Sequence, residues 1–295
     1  MSRGIVRALA LTAFLSSTLW LAAQPQGRGG GRGGAPAAPQ TAQAAASNDL
    51  TGYWVRLVTE DWRWLMVVPP KGDTSSIAGA MGVMNPAGVN VANAWDPAKD
   101  EAEGNQCKGY GAGAISRLPT RAHVTWQDGN TLKWETDQGM QTRLFKFGAV
   151  AQEAQANPGA RSWQGVSVAT WEPAAGGRGG PPVGPGAPPA AAADDAAPPP
   201  VPGGARGGNQ NGWLKVVTTN LKSGYLRKNG VPYSEKATIT EYFQPTPETY
   251  GVRYMIVTTI IEDPEYLTAA LVTSSNYKKL PDTNNGWDPQ PCSVR

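Results

Sequence analysis

The sequence predicts an all-β fold, mainly antiparallel, closed as a meandering barrel or bent into a strongly curved sheet, with one short helix. Three observations predict it. Between Lys236 and Lys279 the chain reads KATITEYF, a turn at QPTPET, YGVRYMIVTTIIED, a turn at PEY, then LTAALVTSSNYKK. Those are three β-branched and aromatic runs with turn residues between them, the pattern of an antiparallel meander. Asp128-Gly129 stands between two alternating runs, a strong short-range hairpin signal. Counted by pattern, about ten short strands run along the chain, and closure removes their exposed edges.

The chain begins with an expected secretory signal over residues 1–23. Arg3 and Arg7 give a basic start, Ala8–Leu21 an apolar run, and Leu21-Ala22-Ala23 a small-residue exit with cleavage after Ala23. The run is too short for a confident membrane span, and an uncleaved anchor is the alternative. Residues 24–48 are rich in Gly, Ala, Pro and Gln without an aromatic residue. Such composition cannot bury enough apolar surface to offset ordering entropy, which predicts a disordered tether. Residues 49–295 then read as a single β-rich domain.

DLTGYWVRLVTE and DWRWLMVVPP are read as the first two strands, the second ended by Pro69-Pro70. Residues 71–120 are irregular apart from a short helix starting at Asp96-Pro97, with Asp as cap and Pro in the first turn. The helix leads to Cys107 and a Gly-rich turn, GYGAGA. RAHVTWQ, TLKWETD and QTRLFKFG form the hairpin region. SWQGVSVATWE and NGWLKVVTTNL are strands on either side of residues 173–210, a segment with ten Pro and ten Gly in 38 residues. That segment reads as a disordered insert within one domain, because the cost of loop closure grows slowly with length. Two domains split there are the alternative. In the meander, Val252, Tyr254, Ile256, Thr258 and Ile260 share one face of the middle strand, and Arg253, Met255, Val257, Thr259 and Ile261 lie on the other. Both faces are largely apolar, so the strand is expected to be covered on both sides.

Charge and cysteine usage narrow the class. The formal charge is +3, and removing residues 1–23 with their two Arg and no acid leaves +1. A near-neutral chain argues against nucleic acid as a partner. RGG at Arg28, Arg32, Arg178 and Arg206 lies wholly in low-complexity sequence and reads as spacing. Cys107 and Cys292 suit one intramolecular disulfide in an oxidising compartment, free or intermolecular thiols being the alternative. The expected location is therefore secreted or periplasmic.

Candidate chemistry is sparse. His123 is the single histidine and there is no GxSxG run, so neither a His-based metal site nor a Ser-His-Asp arrangement is indicated. No cofactor is expected. Carboxylates at Glu60, Asp61, Glu235, Glu241, Glu262, Asp263 and Glu265 could supply a pair for glycoside hydrolysis, or be surface acids. Tryptophan is unusually frequent, 11 in the chain. In SWQGVSVATWE, alternation puts Trp163, Gly165, Ser167, Ala169 and Trp171 on one face, two large rings around three small residues. Trp126 and Trp134 are expected to extend that wall from across the hairpin. The alternative for all four is core packing. Arg227-Lys228 beside the turn at Asn229-Gly230 could bind an anionic group at a barrel mouth, or be solvated turn residues.

Two resemblances follow from these residues. Gly52-Tyr53-Trp54, opening the first strand, resembles the Gly-x-Trp signature of lipocalins. SWQGVSVATWE, LRKNGVPYSEKATITEYF, TTIIEDPEYLT and WDPAKDEAEGNQCKGYGAGAI resemble a group of uncharacterised secreted β-rich bacterial proteins common in Acidobacteria. That resemblance implies an exported β-rich domain and no particular activity. Members often carry His where this chain has Val166 and Tyr233, so any role of those His is absent here. WVRLVTED and WLKVVTTN also echo one another, as two similarly buried strands would, an old duplication being the alternative.

The function this predicts is a secreted or periplasmic, non-enzymatic binding protein with an aromatic-lined pocket for a small apolar or glycan ligand. Trp126, Trp134, Trp163, Trp171, Arg227 and Tyr233 are its candidate ligand-binding residues. The alternatives are a hydrolase using paired carboxylates and a structural cell-envelope protein. Oligomeric state is left open.

Overall fold

In a computed structural model, nine strands close into a barrel. The structure describes residues 40–59, 65–76, 83–172 and 212–294. The expected signal segment, the insert at 173–210 and most of the tether lie outside them. Among the described residues eleven strands form in chain order: β1 (Gly52–Arg56), β2 (Arg121–Asp128), β3 (Thr131–Thr136), β4 (Thr142–Lys146), β5 (Val166–Glu172), β6 (Trp213–Thr219), β7 (Gly224–Tyr225), β8 (Pro232–Tyr233), β9 (Thr238–Pro245), β10 (Tyr254–Glu262) and β11 (Leu271–Lys279). Around the barrel the order is β1-β11-β10-β9-β6-β5-β4-β3-β2, with β1 paired to β2 to complete the ring. β7 and β8 form a separate two-stranded ribbon.

Every barrel pairing is antiparallel except β4 with β5, where Phe145 lies opposite Ser167 and Lys146 opposite Val168. Parallel neighbours cannot be joined by a tight turn and need a crossover. Helix α3 (Gly148–Ala156) supplies it, following α1 (Pro86–Ala94) and α2 (Pro97–Ala102) in the chain. Among the described residues three short helices of six or more residues therefore stand where one was expected. The expected helix is α2, whose Asp96 side chain accepts from the Ala98 and Lys99 amides. Asn85 caps α1 in the same way through Gly88, ahead of Pro86.

The interior has three layers, legible along single strands. On β9 the inward positions are Ile239, Glu241 and Phe243; on β11 they are Leu271, Thr273, Ser275 and Tyr277. At one end an aromatic cluster packs Trp54, Trp134, Phe145, Phe243 and Tyr277 together. Trp134 lies 5.3 Å from Phe243 and meets Tyr277 edge-on at 5.7 Å, spacings favourable for rings. At the other end Leu226, Val231, Tyr233, Ile239 and Ile261 pack against Ala92 of α1. Between them runs a polar belt. Arg143 and Glu241 form a two-pronged ion pair across it, Nη1 to Oε1 at 3.1 Å and Nη2 to Oε2 at 2.5 Å. Thr218 accepts from Arg143 at 3.1 Å and shares a 2.8 Å hydrogen bond with Ser167.

Four expectations need correction. β10 is covered on one face only: Met255, Val257, Thr259 and Ile261 point inward, while Tyr254 and Ile256 stay 41 % and 37 % exposed. Barrel closure gives each strand one inner face, and no second layer covers the outer one in the described residues. DWRWLMVVPP forms no strand over its described part, residues 65–70. Pro69-Pro70 lacks two ladder donors, and a closed barrel has no free edge to accept another strand. Residues 40–48, assigned by composition to the tether, dock instead on the barrel. The Ala42 amide donates to Asn130 Oδ1 at 2.9 Å, the Gln43 amide to the Gly129 carbonyl at 3.0 Å, and Trp171 Nε1 to the Ala42 carbonyl at 2.9 Å. These bonds satisfy a backbone that has little apolar surface of its own to bury. Finally, two helices join the expected one among the described residues: α3 is the crossover that the parallel β4–β5 step needs, and α1 starts at the Asn85 cap.

Cys107 and Cys292 are joined as a disulfide across 185 residues of sequence. No helix among the described residues is long and apolar enough to cross a membrane.

Candidate functional site

The site residues expected from sequence do not converge on one cavity. Trp134 is buried in the aromatic cluster. Trp126 and Trp171 close the same end of the barrel, each ring 5.7 Å from Phe147 between them. Trp126 lies opposite Leu132, and Trp134 opposite Val124, so the two rings are diagonal neighbours. Trp163 precedes β5 and is separated from it by Gly165, whose φ of +61° breaks the alternation. Its indole donates to the Ser223 carbonyl at 3.1 Å, with Lys222 Nζ 4.7 Å above the ring. Trp163 and Trp171 therefore share no strand face. Tyr233 is fully buried. A Cβ on Gly111 or Gly224 would collide with the Tyr233 side chain, and one on Gly113 would press tightly against its ring. That packing accounts for Gly111 and Gly113 of GYGAGA, while Gly109 lies against Lys228 instead.

The exception is Arg227. It lies with Lys228 on the turn between β7 and β8, and is only 7 % exposed. Asn229 anchors the same turn: its side chain donates to the Pro70 and Asp73 carbonyls at 3.0 Å each, and its own carbonyl accepts from the Gly72 amide at 3.0 Å. These bonds hold the 65–73 loop against the basic turn. The space between them is a cleft of about 160 Å³. Leu65, Met66, Val67, Leu118 and Leu226 form its apolar walls; Arg117, Arg227, Lys228 and Tyr110 bring polar groups to it. None of the described residues lining it is acidic.

Electrostatics give the cleft a sign. Burial pulls the Arg227 guanidinium below its ordinary pKa, and the Asp73 carboxylate offsets this only in part. An anion arriving beside that buried cation would relieve the same strain. Tyr110 is held below the usual phenol range. Burial pushes it up, but hydrogen bonds with Lys228 and Ser293 and the charge of Lys228 outweigh burial. Lys228 Nζ is 3.0 Å from the Tyr110 hydroxyl and 2.8 Å from Ser293 Oγ.

Four of the carboxylates that could have formed a hydrolytic pair are engaged elsewhere, and Glu262 is exposed at the end of β10. Glu241 pairs with Arg143, Glu235 with Arg161 at 3.2 Å, and Glu265 with Lys236 at 3.3 Å. Asp263 accepts from the amide and hydroxyl of Ser234 at 2.7 Å each. Glu60 and Asp61 lie outside the described residues. No group of His, Cys, Asp and Glu suited to a metal occurs among the described residues. His123 stacks on Tyr53 at 4.1 Å on the outside of the barrel.

Sequence reading missed Tyr110, Arg117 and Ser293. Tyr110 and Arg117 sit in short 3₁₀ turns, Gln106–Tyr110 and Ile115–Arg117, which carry no periodic signal. The available signal for Ser293 was its place beside Cys292. Neither a family model, nor a curated protein, nor a solved structure matches this chain.

Proposed function

We propose that this chain is an exported binding protein whose cleft takes a small organic anion with an apolar tail. The observation that carries this reading is the pairing of buried, poorly compensated Arg227 with apolar walls in a cleft that no described acidic residue lines. Its volume suits a small guest, since about 150 Å³ holds a benzene-sized molecule. A carboxylate head on a short hydrocarbon fits both the charge and the space. The disulfide fits an oxidising compartment, which supports export.

Calorimetric titration with hexanoate, against hexanol as the uncharged control, tests the reading. Hexanoate is expected to bind, hexanol to bind at least tenfold more weakly, and Arg227→Met to weaken hexanoate by about 10–100-fold, the value of one charge-assisted hydrogen bond. Equal binding of the acid and the alcohol would overturn it. A structural envelope role is the second reading, favoured by the side-chain-filled barrel and by Ile256 and Val272 exposed on its outer wall. Concentration-dependent self-association, lost in Ile256→Lys, would support that role.

A further inference from the structure

We propose that Ser293, Tyr110 and Lys228 form a nucleophilic acyl-transfer site that hydrolyses small carboxylic esters. The three polar atoms make a closed triangle: Tyr110 OH to Ser293 Oγ at 3.1 Å, Lys228 Nζ to Tyr110 OH at 3.0 Å, and Lys228 Nζ to Ser293 Oγ at 2.8 Å. A serine hydroxyl is a weak nucleophile until a neighbouring base can take its proton. The Tyr110 oxygen has the surroundings of such a base. It receives the Lys228 ammonium and, at 3.3 Å, the Ser293 amide, and the Ser293 hydroxyl can donate to it as well. Three donors on one phenolic oxygen favour its ionised form.

The fold holds this triangle from two sides. Cys107 lies three residues before Tyr110 on one 3₁₀ turn, and Cys292 immediately precedes Ser293, so the disulfide brings the serine to the phenol. Backbone bonds between Gln290 and both Asp137 and Gly139, at 2.8 and 2.9 Å, fix the incoming segment. A tail needing only attachment already has it from the disulfide and these bonds. Ser293 itself is exposed, as a nucleophile must be, while Tyr110 is buried.

The chemistry balances without an added reagent other than water. Ser293 Oγ attacks the ester carbonyl carbon as its proton passes to the Tyr110 phenolate. The tetrahedral intermediate collapses, the carbon–alkoxy bond breaks, and the alkoxide leaves as alcohol with the proton from Tyr110. Water then attacks acyl-Ser293, giving its proton to Tyr110. Ser293 leaves, recovers that proton, and the carboxylic acid is released. Lys228 stays an ammonium throughout and holds the phenolate. The acid product is the class of molecule proposed for the cleft, which Tyr110 and Lys228 also line. The substrate class therefore rests on that reading, whereas the nucleophile rests on the triangle alone.

The test is covalent labelling of the oxidised full-length chain with an alkyl fluorophosphonate, read by intact mass and peptide mapping. One adduct per chain on Ser293 is expected, absent in Ser293→Ala and slowed at least tenfold in Tyr110→Phe and Lys228→Met, with circular dichroism confirming that each variant folds. The labelling rate should rise with pH through one ionisation below that of free tyrosine and lose that step in Tyr110→Phe. The charged groups around Tyr110 are Lys228 from the β7–β8 turn, Arg117 and Arg227 across the cleft, and the Lys108–Asp100 pair on its own side. A second readout is a burst of one p-nitrophenolate per chain from p-nitrophenyl butyrate. Labelling no faster than in Ser293→Ala, or an adduct on another residue, overturns the proposal. Hexanoate titration of the unmodified chain reads the cleft separately, so either idea can fail alone.

Discussion

The Arg143–Glu241 pair gives the sharpest prediction about the scaffold, because its two single variants and its double variant should behave in opposite ways. Both side chains are buried, at 2 % and 0 % exposure, and bound by two hydrogen bonds in the polar belt. Arg143→Met leaves the Glu241 carboxylate in the barrel without its cation; Glu241→Leu leaves the guanidinium without its anion. Breaking one side of a buried pair costs about 3–5 kcal/mol. At roughly 2–4 °C per kcal/mol for a domain of this size, either variant lowers Tm by roughly 6–20 °C. The double variant removes both desolvation costs and joins the two apolar clusters above and below the belt. Thr218 loses Arg143 but keeps its 2.8 Å bond to Ser167. The double variant should therefore melt higher than either single, within about 2 kcal/mol of the parent. Guanidinium and thermal unfolding followed by circular dichroism, with the disulfide intact, measure all four corners of the cycle. A double variant as unstable as the two singles added together would refute the reasoning, and so would a single variant costing less than about 1 kcal/mol.

Replacing Cys107 and Cys292 by Ala should lower stability by about 2–5 kcal/mol, since the bridge closes a loop spanning most of the described chain; non-reducing peptide mapping of the parent should recover the two cysteines as one linked pair. Asp100 accepts from Trp95 at 2.8 Å, Lys108 at 2.7 Å and Tyr225 at 2.6 Å. Burial works to raise its carboxyl, but those bonds and the Lys108 charge hold it below the ordinary range. A depressed folded-state carboxyl contributes stability above its unfolded value and loses it as pH falls through the folded value. Asp100→Asn should thus cost about 1–3 kcal/mol at neutral pH, with the gap to the parent closing below pH ~4; a gap that persists in acid would contradict this. Removing residues up to Asn48 should uncover Trp126 and Trp171, red-shifting the fluorescence and making it more quenchable by iodide; an unchanged spectrum would mean the 40–48 segment does not shield them.

Regular pairing was legible in the sequence because strand chemistry is local. Asp128-Gly129 announced β2–β3, and the alternation of Met255, Val257, Thr259 and Ile261 announced β10. What the alternation could not give was which face is inside, since Tyr254, Ile256 and Ile260 are as apolar as their neighbours, and closure of the ring decides the matter. α1 carried the same cap signal at Asn85-Pro86 that marked α2 at Asp96-Pro97. α3 is a run of good helix formers whose role shows only once β4 and β5 are known to be parallel. The candidate site was half legible. Arg227-Lys228 stood out as a basic turn, but its burial depends on a loop some 160 residues earlier, held through Asn229. Tyr110, Arg117 and Ser293 come from irregular stretches, where position is fixed by a disulfide and by single hydrogen bonds.

The location of function follows from how this barrel is filled. An interior crossed by an ion pair and packed with Trp54, Trp134, Phe145, Phe243 and Tyr277 offers a ligand no room of the kind a hollow barrel provides. On the proposed reading a ligand then meets an end. Residues 40–48 cover the end that Trp126 and Trp171 close. The other end receives the long β1–β2 connection, with its helices and 3₁₀ turns, the β7–β8 ribbon and the disulfide-held C-terminal segment. A rigid ring can hold such irregular segments in place, and binding and catalytic groups concentrate on segments of that kind. Arg117, Arg227, Lys228, Tyr110 and Ser293 all come from that end. The filled core thus fixes the positions of those groups, and the two proposed sites both lie where the regular structure stops.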